Sequence, residues 1–218
     1  MAADNSFATK VAEEARSSIS NVVETHYAHK IHIDDAAGIY DCDCSGFVQY
    51  LLGRTAPDHL TTLLELGLRN PDKRPLAYNF YDFFHGLPTD ESAGSNGWIQ
   101  ITRLEDATLG DIVAWKLHGP DEAGDTGHVF VVAEAPTPLT DDHGDNTHFA
   151  VKIYDASSTE HFNDSRSAGG KFHDGIGAGT IHIETNASGV PCQHRFGEAT
   201  RYHTSPTAIG RIVPFPSG

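Results

Sequence analysis

Apolar residues near the N-terminus recur at every third or fourth position, which is the pattern of an amphipathic helix. Over residues 6–24 these positions are Phe7, Val11, Ala15, Ile19 and Val22. The pattern predicts a helix over 6–24 that packs one face on a hydrophobic core.

A second helix is predicted to begin at Cys44, where Asp43 can cap the first turn and Gly53 is suited to ending the helix. Its apolar face comprises Phe47, Val48, Leu51 and Leu52. The preceding segment, 27–43, is rich in small and polar residues and predicts a loop. Segments 57–67 and 76–86 predict shorter helices, separated by a cluster of helix-breaking residues at 70–75.

From Trp98 onward the pattern changes to short runs rich in β-branched and aromatic residues, which are typical of strands. Strands are predicted at 112–117, 128–133, 149–154, 180–184 and 208–213. Acidic or glycine-rich loops at 118–127, 136–147 and 163–179 separate them. Helices over about 1–90 followed by strands over about 98–215 predict an α+β fold with an antiparallel sheet. The length fits a single domain over 1–218.

The charge of the chain argues against two classes of partner. Thirty acidic and fifteen basic side chains give a formal net charge of −15. This field repels nucleic acid and anionic membrane surfaces, and no apolar run is long enough to span a bilayer. The N-terminal residues lack the apolar segment of a signal peptide. The chain as it stands is therefore expected in the cytoplasm, although a secreted or periplasmic protein that had lost its signal would look the same.

The cysteines and histidines predict neither a disulfide scaffold nor a cofactor. The chain has three cysteines, of which Cys42 and Cys44 are separated by one residue, so a bridge between them would be strained. The fourteen histidines are scattered and follow no zinc-binding spacing. We therefore expect no metal site.

Cys44 is a candidate nucleophile because the first turn of a helix stabilises a thiolate. Ser45 and Gly46 follow it and would leave room for a substrate carbonyl. Buried cysteines are also common in protein cores, so the position alone leaves a structural role open.

His128 and Asp155 are candidate partners for the thiol. His128 opens one predicted strand and Asp155 follows the next, and in an antiparallel hairpin these two ends are neighbours. The Asp155 carboxylate would accept the Nδ1–H of His128 and leave Nε2 facing the thiol. The alternatives are that Asp155 is a turn residue and His128 a structural histidine.

Three segments together resemble the NlpC-type family of papain-like cysteine peptidases, best known for cutting bacterial cell-wall peptides. They are the run Asp-Cys-Ser-Gly-Phe-Val at 43–48, the Leu-Gly-Asp-Ile-Val at 109–113 and the Gly-His-Val at 127–129. The similarity covers about Tyr27 to Ser157. It implies a papain-like fold with Cys44 as nucleophile and His128 as base. Asp155 stands where the family more often has histidine or an amide.

The same resemblance suggests further site residues. Tyr27 would donate to the oxyanion, with Tyr40 as a competing candidate, although the Trp-Gly-Gly usual after this tyrosine is missing. Ser45 would support the oxyanion site and Asp43 would contact substrate. From its chemistry, Arg166 in the glycine-rich segment 160–180 could clamp a substrate carboxylate; a solvated loop is the alternative there.

The predicted function is cleavage of an amide bond through a thioester acyl-enzyme. By resemblance the substrate would be a peptidoglycan stem peptide with free carboxylates. An amidase or acyltransferase acting on another small amide or ester would use the same residues. A catalytically inactive binding module of the same fold is the hypothesis from a different class.

Overall fold

The computed structural model describes residues 6–67, 74–90, 96–117, 125–140 and 146–215. The helices are α1 (Ser6–Ser20), α2 (Cys44–Thr55), α3 (Pro57–Gly67) and α4 (Ala77–His85). The strands are β1 (Glu24–Tyr27), β2 (His32–Asp34), β3 (Ile39–Cys42), β4 (Trp98–Ile101), β5 (Ile112–Lys116), β6 (Gly127–Val132), β7 (Thr137–Pro138), β8 (Thr147–Ser157), β9 (Gly175–Thr185), β10 (Pro191–Arg195), β11 (His203–Thr204) and β12 (Thr207–Ile212). Short 3-10 turns lie at Leu104–Asp106 and Ser165–Ser167.

The helices follow the apolar pattern closely, with errors at their ends. α2 begins at Cys44 as predicted, and the Asp43 side chain caps it by accepting from the Gly46 N–H at 2.8 Å. Gly53 does not end this helix, which runs on to Thr55. The predicted helix over 6–24 is wrong in its last turn, because α1 ends at Ser20 and β1 follows.

Most strands form one antiparallel sheet in the order β11-β10-β9-β8-β6-β5-β12-β4, with β7 added to β8. This confirms the predicted α+β class with an antiparallel sheet, and β5, β6, β8, β9 and β12 match the five predicted strands. β9 begins at Gly175, inside the predicted loop at 163–179. Of the other predicted loops, residues 118–124 and 141–145 lie outside the described residues.

The core lies on both faces of this sheet. On β5, Ile112 and Ala114 pack in a cluster with the four helices, whereas the alternating Val113 and Trp115 belong to a second cluster of strand residues. α2 packs against β6. The first residue of α2 is thereby held close to the beginning of β6.

The predicted loop over 27–43 is wrong. It contains part of a small sheet in the order β1-β3-β2, in which β1 runs parallel to β3 and Tyr27 pairs with Cys42. The Thr25 hydroxyl joins this sheet to β9, since it donates to the Tyr40 carbonyl at 2.6 Å and accepts from the Ile176 N–H at 2.9 Å.

Within the described ranges, no helix combines the length and the apolar character needed to cross a membrane.

Candidate active site

The structure brings together the three residues predicted to carry the chemistry. Cys44 begins α2, His128 is the second residue of β6, and Asp155 lies near the end of β8. All three are buried, with exposed fractions of 4%, 6% and 0%. The Cys44 thiol lies near enough to the His128 imidazole to influence its pKa.

Strand pairing explains how His128 meets Asp155. β6 and β8 are antiparallel, with Val131 opposite Tyr154, so the beginning of β6 lies beside the end of β8. His128 Nε2 lies 2.8 Å from Asp155 Oδ2. The predicted choice of ring nitrogen is therefore wrong. Nε2 is farther from the backbone than Nδ1 and reaches the carboxylate, which leaves Nδ1 for the thiol.

The surroundings of His128 favour its charged form. Burial lowers its pKa, but the negative charge of Cys44 and the hydrogen bonds with Asp155 and Cys44 outweigh burial and raise the pKa to about 10. An imidazolium next to a thiolate is the active form of a cysteine nucleophile. The pair is thus set up for nucleophilic attack.

Two further side chains hold Asp155, and neither role was predicted from the sequence. His161 Nε2 lies 2.7 Å from the same Oδ2 that contacts His128. Arg166 Nη1 lies 3.1 Å from Oδ1 in an ion pair whose angles fall short of a hydrogen bond. Burial raises the pKa of the Asp155 carboxyl, but the charges of His161 and Arg166 and the histidine hydrogen bonds hold it well below its usual range. Asp155 is therefore an anion that orients His128.

Arg166 lies behind the catalytic residues rather than on an open surface. Its side chain is 3% exposed; Nε and Nη2 donate to the two oxygens of Asp164 at 2.8 and 3.0 Å, and Nη1 donates to the Gly175 carbonyl at 2.9 Å. The guanidinium that was predicted to clamp a substrate carboxylate is thus engaged by carboxylates of the chain. Arg166 is the buried residue of the turn at Ser165–Ser167, whereas residues 167–174 are exposed or half-buried, as the predicted solvated loop requires.

His128, Asp155 and His161 could also be considered as metal ligands, since their donor atoms all lie within 4.8 Å of one another. Ligands of tetrahedral zinc are separated by roughly 3.3 Å, given bonds of about 2.0–2.1 Å. Here the carboxylate oxygen lies 2.7 and 2.8 Å from the two nitrogens, which are hydrogen-bond distances. The adjacent Arg166 already compensates the carboxylate charge. We therefore interpret His128, Asp155 and His161 as a hydrogen-bonded network.

Asp43 and Ser45 form an anchor beside Cys44 together with Arg74, which the sequence analysis placed only in a helix-breaking cluster. Arg74 Nη1 donates to Asp43 Oδ1 at 3.0 Å and to Ser45 Oγ at 2.8 Å, and Ser45 Oγ donates to Asp43 Oδ1 at 3.0 Å. Burial opposes the charge of Asp43, but Arg74 and the Gly46 N–H keep its pKa below the usual range. The contacts of Asp43 and Ser45 fix the start of α2.

Tyr27, and not Tyr40, lies against the nucleophile. Its pairing with Cys42 places it beside the start of α2, where Cys44 influences the pKa of its hydroxyl. Burial, followed by the charges of Cys44 and Asp43, raises the pKa of Tyr27, so the phenol keeps its proton. The Tyr40 hydroxyl instead donates to Asp35.

Two glycines next to the site are required by close contacts. Gly127 has φ +122°, and a Cβ there would lie 2.0 Å from the Trp115 carbonyl oxygen. Any side chain would displace the backbone next to His128. A Cβ on Gly46 would lie 2.7 Å from Ile31 Cδ1, so a side chain at position 46 would have to displace the end of Ile31.

The other cysteines are unlike Cys44. Cys42 and Cys192 are free thiols. Burial raises the pKa of Cys42, helped by the charges of Asp43 and Cys44, and burial also raises the pKa of Cys192. Both therefore stay protonated and unreactive at neutral pH.

Two cavities of the described region meet at the Cys44–His128 pair. The thiol-side cavity, about 520 Å³, is lined by Cys44, Asp43, Ser45, His29, Arg74 and Leu76. The imidazole-side cavity, about 230 Å³, is lined by His128, Trp115, Leu117, His194, Phe196 and His203. Both share Tyr27, Asp125, Gly127 and Ser158. A substrate can thus lie across the reactive pair with one part in each cavity.

Comparisons of the chain with protein-family models, with curated proteins and with solved structures found no match.

Proposed function

We propose that the protein is a cysteine hydrolase with a papain-like arrangement, which cleaves an amide bond through an acyl-enzyme on Cys44. The observation that carries the proposal is the grouping of Cys44, His128 and Asp155, in which a buried anion orients an imidazole that interacts electrostatically with a thiol at a helix start. Packing alone does not require these three residue types in contact.

The residues support a two-step reaction. The Cys44 thiolate attacks the amide carbonyl carbon, the C–N bond breaks, and the leaving amine takes the proton from Nδ1 of His128. A water then attacks the thioester carbon and gives its proton to Nδ1, the C–S bond breaks, and the thiolate is restored. Asp155 holds the imidazole through Nε2 in both steps and does not itself take the proton.

Tyr27 is proposed to stabilise the negative oxygen of the tetrahedral intermediate. Its phenol lies near enough to Cys44 for the two groups to influence each other and keeps its proton, so it can donate. The backbone N–H of Cys44 is a second candidate donor, because the first intrahelical bond of α2 is from Phe47 to the Asp43 carbonyl.

The substrate proposed from the motif resemblance is a peptidoglycan stem peptide. The strongly acidic chain, with a net charge of −15, is poorly matched to anionic wall polymers, which favours small soluble fragments over intact wall. An amidase or acyltransferase acting on another small amide or ester is the second candidate, and it uses the same residues and steps.

The proposal is tested by mass spectrometry of stem peptides and simple amides incubated with the wild type, Cys44→Ala and Cys42→Ser. We expect cleavage by the wild type and by Cys42→Ser and none by Cys44→Ala. Cys42 is a matched control because it is buried two residues away with its pKa raised. Cleavage by Cys44→Ala, or its loss in a folded Cys42→Ser, would overturn the assignment.

Alkylation separates the enzyme from an inactive binding module. A thiolate paired with imidazolium reacts at mildly acidic pH, whereas an ordinary thiol does not. We expect one equivalent of iodoacetamide to modify Cys44 under these conditions. An inert Cys44 in the folded protein would support the binding module.

A further inference from the structure

The imidazole-side cavity is built differently from the thiol-side cavity. The thiol-side cavity contains the charged groups of Asp43 and Arg74. The imidazole-side cavity is walled by Trp115, Leu117 and Phe196. The two ends of a bound substrate therefore meet different chemistry.

Ring contacts fix the aromatic wall next to the base. His194 stacks on Trp115 with centroids 3.8 Å apart and an interplanar angle of 14°. The Phe196 ring lies 5.4 Å from both Trp115 and His128 in edge-to-face contacts. These contacts make a preformed apolar surface beside the imidazole.

The polar groups of this cavity offer nothing to a charged ligand. Burial, followed by the charges of His128 and His203, lowers the pKa of His194 to about 3, so this ring is neutral. The charge of His128 is matched by Cys44 and Asp155. At the shared mouth, the carboxylate of Asp125 repels anions.

One polar atom in the wall is unsatisfied. Nδ1 of His194 is buried and has no hydrogen-bond partner among the described residues. A neutral imidazole nitrogen can make one hydrogen bond to an uncharged amide or hydroxyl.

The reaction decides which part of the substrate enters this cavity. The leaving nitrogen must come within about 2.6–3.2 Å of the general acid. In the proposed function the acid is His128, so the substituent on the leaving nitrogen lies on the His128 side. The acyl part then lies beside Cys44 in the thiol-side cavity.

We propose that the imidazole-side cavity binds the leaving amine of the substrate, and that this amine carries a single apolar or aromatic side chain and no carboxylate. The inference rests on the proposed function for which end is the leaving group, and of the two substrates proposed there it favours the small amide over the stem peptide. The volume of about 230 Å³ has room for roughly eight water-sized groups at about 30 Å³ each, which fits one ring with a short substituent. A longer peptide on this side would extend into solvent past Leu117.

Acyl transfer to added amines tests the cavity without knowledge of the natural acyl group. p-Nitrophenyl acetate acylates Cys44 and releases p-nitrophenolate. An added amine then competes with water: its nitrogen attacks the thioester carbon, its proton passes to His128, and the thiolate leaves. Phenylalaninamide and phenylalanine are a matched pair that differ by the carboxylate. At equal free-base concentrations we expect phenylalaninamide to be acylated at least about tenfold more often, the scale of hydrophobic-pocket discrimination.

Leu117→Arg adds a cation at the wall of the cavity, and Leu66→Arg adds the same charge on α3. Both leucines are exposed, at 44% and 61%. Leu117→Arg should reduce the preference for phenylalaninamide by about tenfold, and Leu66→Arg should leave it unchanged. Equal acylation of the two amines by the wild type, or an equal effect of both variants, would overturn the proposal.

Calorimetry with Cys44→Ala measures binding without chemistry. It therefore tests the assignment of the imidazole-side cavity separately from the proposed function. We expect phenylalaninamide to bind more tightly than phenylalanine and Leu117→Arg to weaken that binding. If no Cys44 thioester forms but this preference is seen, the proposed function fails and the cavity assignment stands. If the thioester forms and phenylalanine binds as well as the amide, the cavity assignment fails and the proposed function stands.

Discussion

The guanidinium Nη1 of Arg166 lies 3.1 Å from Oδ1 of Asp155, and both side chains are buried. The other oxygen of Asp155 contacts His128 and His161. A carboxylate buried in this way is stabilised as an anion by groups that never need to touch substrate. Substitutions around Asp155 should therefore change the chemical step rather than substrate affinity.

Removal of the Asp155 carboxylate should lower kcat. Asp155→Ala leaves His128 without an orienting acceptor, and we expect a loss of roughly a hundredfold to ten-thousandfold, the usual contribution of a positioned base. Asp155→Asn keeps an oxygen that can accept the Nε2–H and should lose less. Steady-state kinetics with the pH profile of Cys44 alkylation measures both effects. Wild-type turnover and an unchanged profile in folded Asp155→Ala would mean that another group orients His128.

Arg166 and His161 should behave as positioning residues. We expect Arg166→Gln and His161→Ala to lower kcat by about ten- to a hundredfold with little change in KM. Arg166 forms an ion pair with the Asp155 carboxylate and His161 hydrogen-bonds to it, and a bond to a charged group contributes roughly 1.5–3 kcal/mol. Arg166→Lys keeps the charge and should restore part of the rate.

A matched control for these variants is His148→Asn, which removes another buried histidine paired with a carboxylate, Glu184. It should destabilise the protein without changing the alkylation profile of Cys44. A raised KM with unchanged kcat in Arg166→Gln would instead favour a direct contact of Arg166 with substrate.

Tyr27→Phe should lower kcat by roughly a hundredfold to a thousandfold, the usual cost of losing one oxyanion donor. Its fold should be retained, since the ring stays in place. Tyr40→Phe is the matched control: it removes the hydroxyl that donates to Asp35, so it should reduce the free energy of unfolding and leave kcat near the wild-type value. Similar kcat values for the two variants would remove Tyr27 from the mechanism.

The pairing of His128 with Cys44 and Asp155 predicts how the free energy of unfolding depends on pH. The pKa of His128 is raised to about 10 in the folded protein, compared with about 6.5 in the unfolded chain. Its stabilising contribution is therefore complete below about pH 6.5 and is lost as the pH rises to about 10. The lowered pKa of Asp155 has the opposite sign, and its contribution is lost below about pH 4.

Urea unfolding of the wild type and Cys44→Ala measures this dependence. The charge of Cys44 is the largest influence that raises the pKa of His128, so the alanine variant should lose less stability between about pH 6.5 and pH 10. Parallel stability curves for the two proteins over this range would contradict a thiolate–imidazolium pair.

The elements that were predicted correctly are those in which the pattern of apolar side chains shows which residues are buried. Continuous runs of apolar residues mark β5 and β6, and the apolar face of α2 is equally clear. The small sheet was missed because its strands are three or four residues long and half exposed. The predicted start of β9 was too late in the sequence, because the first residues of this strand, from Gly175, are mostly glycine and show no alternation.

The site was predictable only where it lies on regular elements. Cys44 and His128 begin a helix and a strand that the pattern locates, so their meeting follows from topology. His161 comes after the end of β8, and its contact with Asp155 depends on a turn that no periodicity predicts. The ring nitrogen of His128 that faces the thiol also depends on side-chain geometry rather than on residue order.

The Thr25 hydroxyl hydrogen-bonds to both the Tyr40 carbonyl and the Ile176 N–H. It therefore marks a seam, the line along which the small sheet meets the large sheet beside the site. On the side of the small sheet lies Tyr27, and Cys44 comes shortly after β3. On the side of the large sheet lie the imidazole of His128 and the carboxylate of Asp155. A slight parting of the two sheets would therefore draw Tyr27 away from Cys44, which α2 holds against β6, while each sheet kept its own hydrogen bonds. The reactivity of Cys44 would then fall long before the chain unfolded, which makes this thiol a sensitive reporter of local opening.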